Sequence, residues 1–186
     1  MSSRKSLKQD RVKSYFVDAA KEIVINEGVE GISVRKVSEN AGYSYASMYN
    51  YYQDLHALLW DVKLAMARDV NAMLCEVNAS CTGSKDAIRL MLQAYTNYFV
   101  AAPHVFRFLY QYPLSAEQAY TRQIFSFITD TVMQAVQFRN ANIDKGKIQT
   151  CFWALNGMLM MFTSTGNVSG ADLDHDLKLL LSYMHV

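Results

Sequence analysis

At 186 residues the chain has room for one ordinary domain, or for a small head on a larger body. It is 51% hydrophobic and 19% charged, which excludes a disordered chain and supplies a core, while a net charge of +1 neither requires nor forbids a nucleic-acid partner. Only 2 prolines and 8 glycines interrupt it, too few for a many-turned β fold and in keeping with long helices.

Residues 1–13 set five cations, Arg4, Lys5, Lys8, Arg11 and Lys13, against Asp10 alone, a local charge of +4. Such a run is either a solvated tail or a phosphate-contacting arm. It has no apolar h-region, so no signal peptide is expected. From Arg11 to Asn26, Val12, Phe16, Ala19, Ala20, Ile23 and Val24 recur at spacings of three and four, which predicts an amphipathic helix. Gly28 and Gly31 are expected to end it by accepting positive φ. Ser33 is placed to cap a short helix with Val34 and Val37 on one side, stopping at Ala41-Gly42.

The next run, Gly42 to Asp54, reads GYSYASMYNYYQD, with five tyrosines and no lysine or arginine. Tyr43, Tyr45, Tyr49 and Tyr51 alternate as in a half-buried strand, but nothing nearby offers a partner strand. A helix capped by Ser44 puts Tyr45, Met48, Tyr49 and Tyr52 three or four apart. Met48 and Tyr52 then turn inward with Val34 and Val37, and Tyr45, Ser47, Tyr49 and Asn50 are left outward. Tyr43 and Tyr51 are compatible with either side. Asp54 caps a long helix with the apolar stripe Leu55, Leu58, Leu59, Val62, Met66, Val70, Met73 and Val77, ending near Cys81. Ser84 opens the next, and Pro103 begins a short one that Pro113 follows. Further helices are expected over 116–139, from Lys145 to Thr165 and from Ala171 to Met184. The total is about nine helices and no convincing strand, an all-α fold.

Two short helices joined by a tight Ala41-Gly42 turn, with a longer helix before them, make a helix-turn-helix. The second helix of such a unit enters the major groove while the first crosses the backbone. In GISVRKVSENAGYSYASMYNYYQDLHALL the order is Ser33, Val34-Arg35, Ala41-Gly42, Ser44, Met48-Tyr49, Tyr51-Tyr52 and Leu58-Leu59. Over roughly residues 10–62 that order and spacing resemble the tetracycline-repressor (TetR) family.

The resemblance implies a helix-turn-helix DNA-binding head over residues 1–53 and an effector-binding and dimerisation body over 54–186, coupled by the long helix from Leu55. The implied DNA-binding residues are Ser33, Arg35, Lys36, Ser44, Tyr45, Ala46, Ser47, Tyr49 and Asn50. Among them Arg35, Ser44, Tyr49 and Asn50 would meet phosphates or groove walls, and Tyr45, Ala46 and Ser47 base edges. Two positions depart from the family's usual pattern. Leu55 stands where a lysine is common, and Tyr45-Ala46 where a lysine and a glycine often begin the recognition helix. Readout by thymine-methyl contact and hydroxyl bonds is expected, with dimerisation needed for specificity.

Of the body's many methionines and aromatics, each reads first as core. The resemblance implies a ligand cavity among them, and Met66, Tyr95, Phe99, Phe106, Tyr110, Phe127, Trp153 and Met158 would suit an apolar or flat aromatic effector. Arg89, Arg107 and Arg122 are read as solvated, so an ionic ligand is not expected. Helices 116–139 and 145–165 are assigned to a homodimer, because the second has more apolar faces than one core can cover and Gly157 admits a close partner. Two such helices per subunit make a four-helix bundle about a two-fold axis. The residues expected there are Phe125, Val132, Val136, Phe152, Leu155, Gly157 and Leu159.

His56, His104, His175 and His185 are scattered and form no metal set, and no triad, nucleophile elbow or phosphate loop occurs. Neither an enzyme, a cofactor nor a metal is expected. Cys75, Cys81 and Cys151 lack C-x-x-C spacing, which argues for buried thiols in a reducing, cytoplasmic setting. The apolar stretch from Cys151 to Phe162, broken at Asn156 and Gly157, falls short of the roughly 20 residues of a membrane span. The expected function is a ligand-responsive DNA-binding regulator, a repressor released by its effector. The competing readings are a helical ligand-binding or interaction scaffold with a degenerate head, and a constitutive DNA-binding regulator.

Overall fold

The computed structural model describes residues 4–81, 87–114, 126–135, 144–165 and 170–184. Helix α1 (Arg4–Glu27) buries the predicted stripe Val12, Phe16, Ala19, Ala20, Ile23 and Val24. It stops at Gly28, whose φ of 82° is one a side chain would resist. Gly31 does not share this role: it closes a short 3-10 turn, Val29–Gly31, without positive φ.

The Ser33 hydroxyl accepts the Lys36 N–H at 3.2 Å and starts α2 (Val34–Ala41). Gly42, at φ 76°, ends it in the left-handed region, its N–H closing on the Glu39 and Ser38 carbonyls. Helix α3 (Tyr45–Met48) is a single turn, shorter than the predicted run to Tyr52. Its Ser44 spends its hydroxyl on the Ser47 hydroxyl at 2.7 Å and caps no backbone N–H, and at the other end the Asn50 and Tyr51 N–H groups close tighter turns on the Ser47 and Met48 carbonyls. The Asp54 carboxylate, in contrast, accepts the Ala57 N–H at 2.8 Å and opens α4 (Leu55–Ser80). At 26 residues α4 is a rod about 39 Å long.

Helix α5 (Ala87–Ala101) follows. Helix α6 begins at Pro103, where a missing N–H does no harm, and its α-turn Pro103–Phe106 continues as a π-helical turn, Arg107–Gln111. Helix α7 is described over 126–135, α8 is Lys145–Thr165 and α9 is Gly170–Met184. Ser84 and the remainder of 116–139 lie outside the described residues. Among the described residues there is no strand, and no helix is long and apolar enough to cross a membrane.

Helix α1 packs on α2 and α4, α4 packs on α5, and α5, α6, α8 and α9 close the far end. One apolar cluster runs from Phe16, Val37 and Met48 through Leu58, Val62 and Met66 to Phe99, Phe108, Leu159 and Leu177. Each such side chain is worth about 1.5–3 kcal/mol when buried. Helices α1 and α4 are further joined by Lys21–Asp69 at 2.5 Å and Lys13–Asp61 at 4.0 Å. The head is thus joined to the rod as far along as Asp69.

Candidate nucleic-acid interface

Four tyrosines hold α3 in place or lie beneath it, and two more stand on it. Tyr43 and Tyr51, compatible with either side in the sequence, are half-buried against Phe16, with ring centroids 5.2 and 6.0 Å away, and Tyr15 stacks on Tyr43. Tyr52 is buried and donates its hydroxyl to Asp61 at 3.0 Å, with the Lys13 ammonium 4.8 Å from its ring. Burial first, and the Asp61 charge second, push its phenol up. Met48 is fully buried beneath them.

On this base Tyr45 and Tyr49 are displayed, 55% and 47% exposed. Their rings meet edge-on at 5.6 Å and their hydroxyls are 3.2 Å apart. The hydrogen bond to Tyr45 raises the Tyr49 pKa, so Tyr49 offers its hydroxyl for hydrogen bonding without charge. Ala46 and Asn50 are exposed beside them, Ser44 is exposed at the start of the turn, and Ser47 is half-buried.

The cations expected to meet phosphate are present but engaged. Arg35 donates from Nε to Glu39 at 2.8 Å, a bond that raises its pKa, and Lys36 is paired with Glu27. Both pairs are solvent-exposed and therefore weak, so a phosphate can compete for either cation. Along α1, Lys8 is exposed and Arg11 bonds the Tyr15 hydroxyl. The Arg4 and Lys5 side chains lie outside the described residues.

In the body, five of the eight expected ligand residues are core. Met66, Tyr95, Phe99 and Phe106 are fully buried, and Tyr110 joins the last three in a knot of rings at 4.8–5.9 Å. At its centre the Tyr95 hydroxyl lies 2.8 Å from the Tyr110 hydroxyl and donates to Asn156 Oδ1 at 2.8 Å. Asn156 in turn donates to the Phe152 carbonyl. Burial pushes the Tyr95 pKa well above its ordinary value and the Tyr110 pKa up with it, so this polar centre is neutral. Met158 is half-buried at the edge of the core. Phe127 and Trp153 do not join the knot: they are 42% and 59% exposed.

The expected dimer residues also need correction. Val132, Phe152, Leu155 and Leu159 are sealed in the core of their own subunit, where they have no surface to offer a second copy. On α8 the spacing Ile148, Phe152, Leu155, Leu159 marks the inward face, and it is Trp153, Met160 and Met161 that stand outside. At Gly157 an added Cβ would meet nothing within 4 Å, so that position is open. Phe125 and Val136 lie outside the described residues, as does Arg122.

Two further expectations fail on burial, and one buried charge joins them. Cys75 is exposed and Cys81 and Cys151 partly so, and Cys75 falls off the inward stripe of α4. Arg107 is half-buried, its Nη2 2.7 Å from His104 Nδ1. Lys63 was not singled out, yet it is only 1% exposed, donating to the Tyr112 carbonyl at 2.8 Å above the Phe108 ring. Burial pushes its pKa down to about 8. Its position between Leu59 and Met66 on the apolar stripe was the available signal. Among the described residues no three His, Cys, Asp or Glu side chains cluster as metal ligands.

A helix-turn-helix head continued by a rod into an all-helical body is the fold of the TetR regulators. The chain shares it with a TetR transcriptional regulator from Rhodococcus sp. RHA1 (TM-score 0.69, 15% identity, 95% of this chain and 97% of that one). It is likewise similar to a putative TetR-family regulator from Mesorhizobium loti MAFF303099 (TM-score 0.66, 18% identity, 94% and 97% covered). A third is Thermus thermophilus FadR, a TetR-family repressor in complex with lauroyl-CoA (TM-score 0.67, 14% identity, 93% of each chain). No protein-family model and no curated protein matches the sequence, and at these identities the likeness establishes the fold.

Proposed function

We propose that the chain is a TetR-type transcription regulator that reads a pseudo-palindromic operator as a homodimer and is released by a small apolar or aromatic effector. The observation that carries this reading is the Tyr45–Tyr49 pair, two large rings left in solvent on a one-turn helix whose other side is anchored by Met48 and Tyr52. A soluble core gains nothing from exposing them. A DNA groove does, since phenol hydroxyls bond phosphates or base acceptors and ring edges meet thymine methyls. Arg35 and Lys36 then exchange Glu39 and Glu27 for phosphates.

The partner subunit is best placed on the outward face of α8 and α9, where Trp153, Met160, Met161, Leu179 and Tyr183 are all exposed. This keeps a four-helix bundle but builds it from α8 and α9 in place of helices 116–139 and 145–165, and it turns α8 by about half a turn from the expected face. The effector is assigned to the Tyr95–Phe99–Phe106–Tyr110 knot, whose neutral polar centre can exchange one internal hydrogen bond for one to a ligand. FadR's lauroyl-CoA is a precedent for an apolar chain in this fold. Opening the knot moves the α6 π-turn, and the bond from Lys63 to the Tyr112 carbonyl carries that movement to α4 and the head.

The carboxylate pairing of Arg35 and Lys36 favours a second reading, a ligand-binding scaffold whose head no longer reads DNA. Purified protein titrated with DNA flanking its own gene, against a scrambled duplex over a salt series, separates the two. The regulator binds the first tightly with two subunits per site and a steep negative salt slope. Equal, weak binding to both duplexes favours the scaffold.

A further inference from the structure

Away from the aromatic knot, a half-open cavity of about 210 Å³ lies where the head meets the body. Its head side is the turn after α1, with Gly28 and Glu30, and its body side is α6, with His104, Arg107, Gln111 and Tyr112. Gly28 forms the floor. A Cβ there would stand 2.6 Å from Glu30 Oε2 and 3.0 Å from His104 Nδ1, so the bare backbone is what lets head and body groups converge.

Two charges of opposite sign line this space, and they do not neutralise each other. Among the described residues neither Glu30 nor Arg107 has an ion-pair partner. The Arg107 Nη2 instead meets the His104 ring at 2.7 Å, which leaves its other N–H groups for a ligand. Gln111 donates to Thr163 and Ser164 of α8 at 3.3 Å, and its carbonyl oxygen remains an acceptor. A guanidinium that lines a cavity without pairing to a carboxylate is complementary to a planar, bidentate carboxylate. A carboxylate across the same cavity is complementary to an ammonium.

We propose that this junction cavity binds a small zwitterion of amino-acid size, its carboxylate on Arg107 and its ammonium on Glu30. The volume supports that size, being below the roughly 300 Å³ at which pockets for drug-sized ligands begin. Because the walls belong to α1's terminal turn and to α6, an occupant bridges head and body and sets the angle between them. This site is separate from the effector knot and its binding is read without DNA, so its failure and the failure of the regulator reading are distinguishable.

The test is a thermal-shift and calorimetric titration of the full chain with a panel of L-amino acids. Each is paired with the carboxylic acid lacking its amine and the amine lacking its carboxylate. At least one amino acid raises the Tm and binds about tenfold or more tightly than either analogue. Arg107→Gln abolishes the shift. Glu30→Gln, at an exposed position that leaves folding intact, weakens the amino acid to the level of its deaminated analogue. No shift with any amino acid overturns the proposal. So does equal binding of the deaminated acid, or a shift that survives both substitutions.

Discussion

The head and the body distribute polarity in opposite ways. The head buries the apolar stripe of α1 with Val37 and Met48, keeps its cations at the surface, and shows Tyr45 and Tyr49 on a surface with no core to fill. The body takes polar groups inside, Lys63, Asn156 and the Tyr95 hydroxyl, and leaves Trp153, Met160 and Met161 outside. In the proposed function a head of this kind is the mount for a DNA-reading surface. A body of this kind keeps hydrogen bonds in its interior and an apolar face in solvent, which the proposed function assigns to the effector and to a second subunit. Stability and function therefore separate: substitutions in the body knot should act on folding, and those on the head ridge on DNA.

The largest contrast should come from truncating one ring in each region. Phe99→Ala removes the ring that touches Tyr95, Tyr98, Phe106 and Tyr110, at a cost of about 3–5 kcal/mol in a urea melt. Tyr45→Ala should stay within about 0.5 kcal/mol. Similar losses from both would break the distinction between mount and surface.

The buried charge sharpens it next. Lys63 has a folded pKa of about 8 against an ordinary 10.5, so between those values the unfolded chain holds more proton than the folded one. Stability attributable to this residue must then rise with pH through that window, by up to a few kcal/mol, and be absent below pH 8. Urea melts of wild type and Lys63→Met at pH 7.5 and 10 check it: the difference between the two proteins shifts toward the wild type at the higher pH. A pH-independent difference would mean that Lys63 reaches water.

Smaller effects belong to the head. Ser33→Ala removes the cap of α2 and should lower stability by about 1 kcal/mol, read from the urea midpoint. Glu39→Gln leaves the fold intact and frees Arg35, so DNA affinity at low salt should rise a few-fold, with a steeper salt slope in a fluorescence anisotropy titration.

Much of the head was legible because its determinants are local. Ser33, Gly42 and Asp54 act within three or four residues of themselves, and the α1 stripe needs only helical periodicity. The one-turn length of α3 was not legible, since the apolar spacing to Tyr52 continues while the Asn50 and Tyr51 N–H groups turn back on Ser47 and Met48. In the body the helix spans were readable and their orientation was not. The near-continuous apolar run of α8 carries no polar face to orient it, so the sequence alone does not separate the inward Phe152, Leu155 and Leu159 from the outward Trp153. The Tyr95–Asn156 bond spans 61 residues and Lys63–Tyr112 spans 49, and no local pattern announces either.

The most direct test of the central claim is a competitive titration of specific and scrambled duplex with wild type and the Tyr45→Phe, Tyr49→Phe double variant, with the Tm of each recorded. The account predicts an unchanged Tm and a loss of discrimination of about tenfold or more, since two hydroxyls leave the interface and nothing leaves the core. Full discrimination retained by the double variant, or a fall in Tm matching the loss of binding, would contradict it.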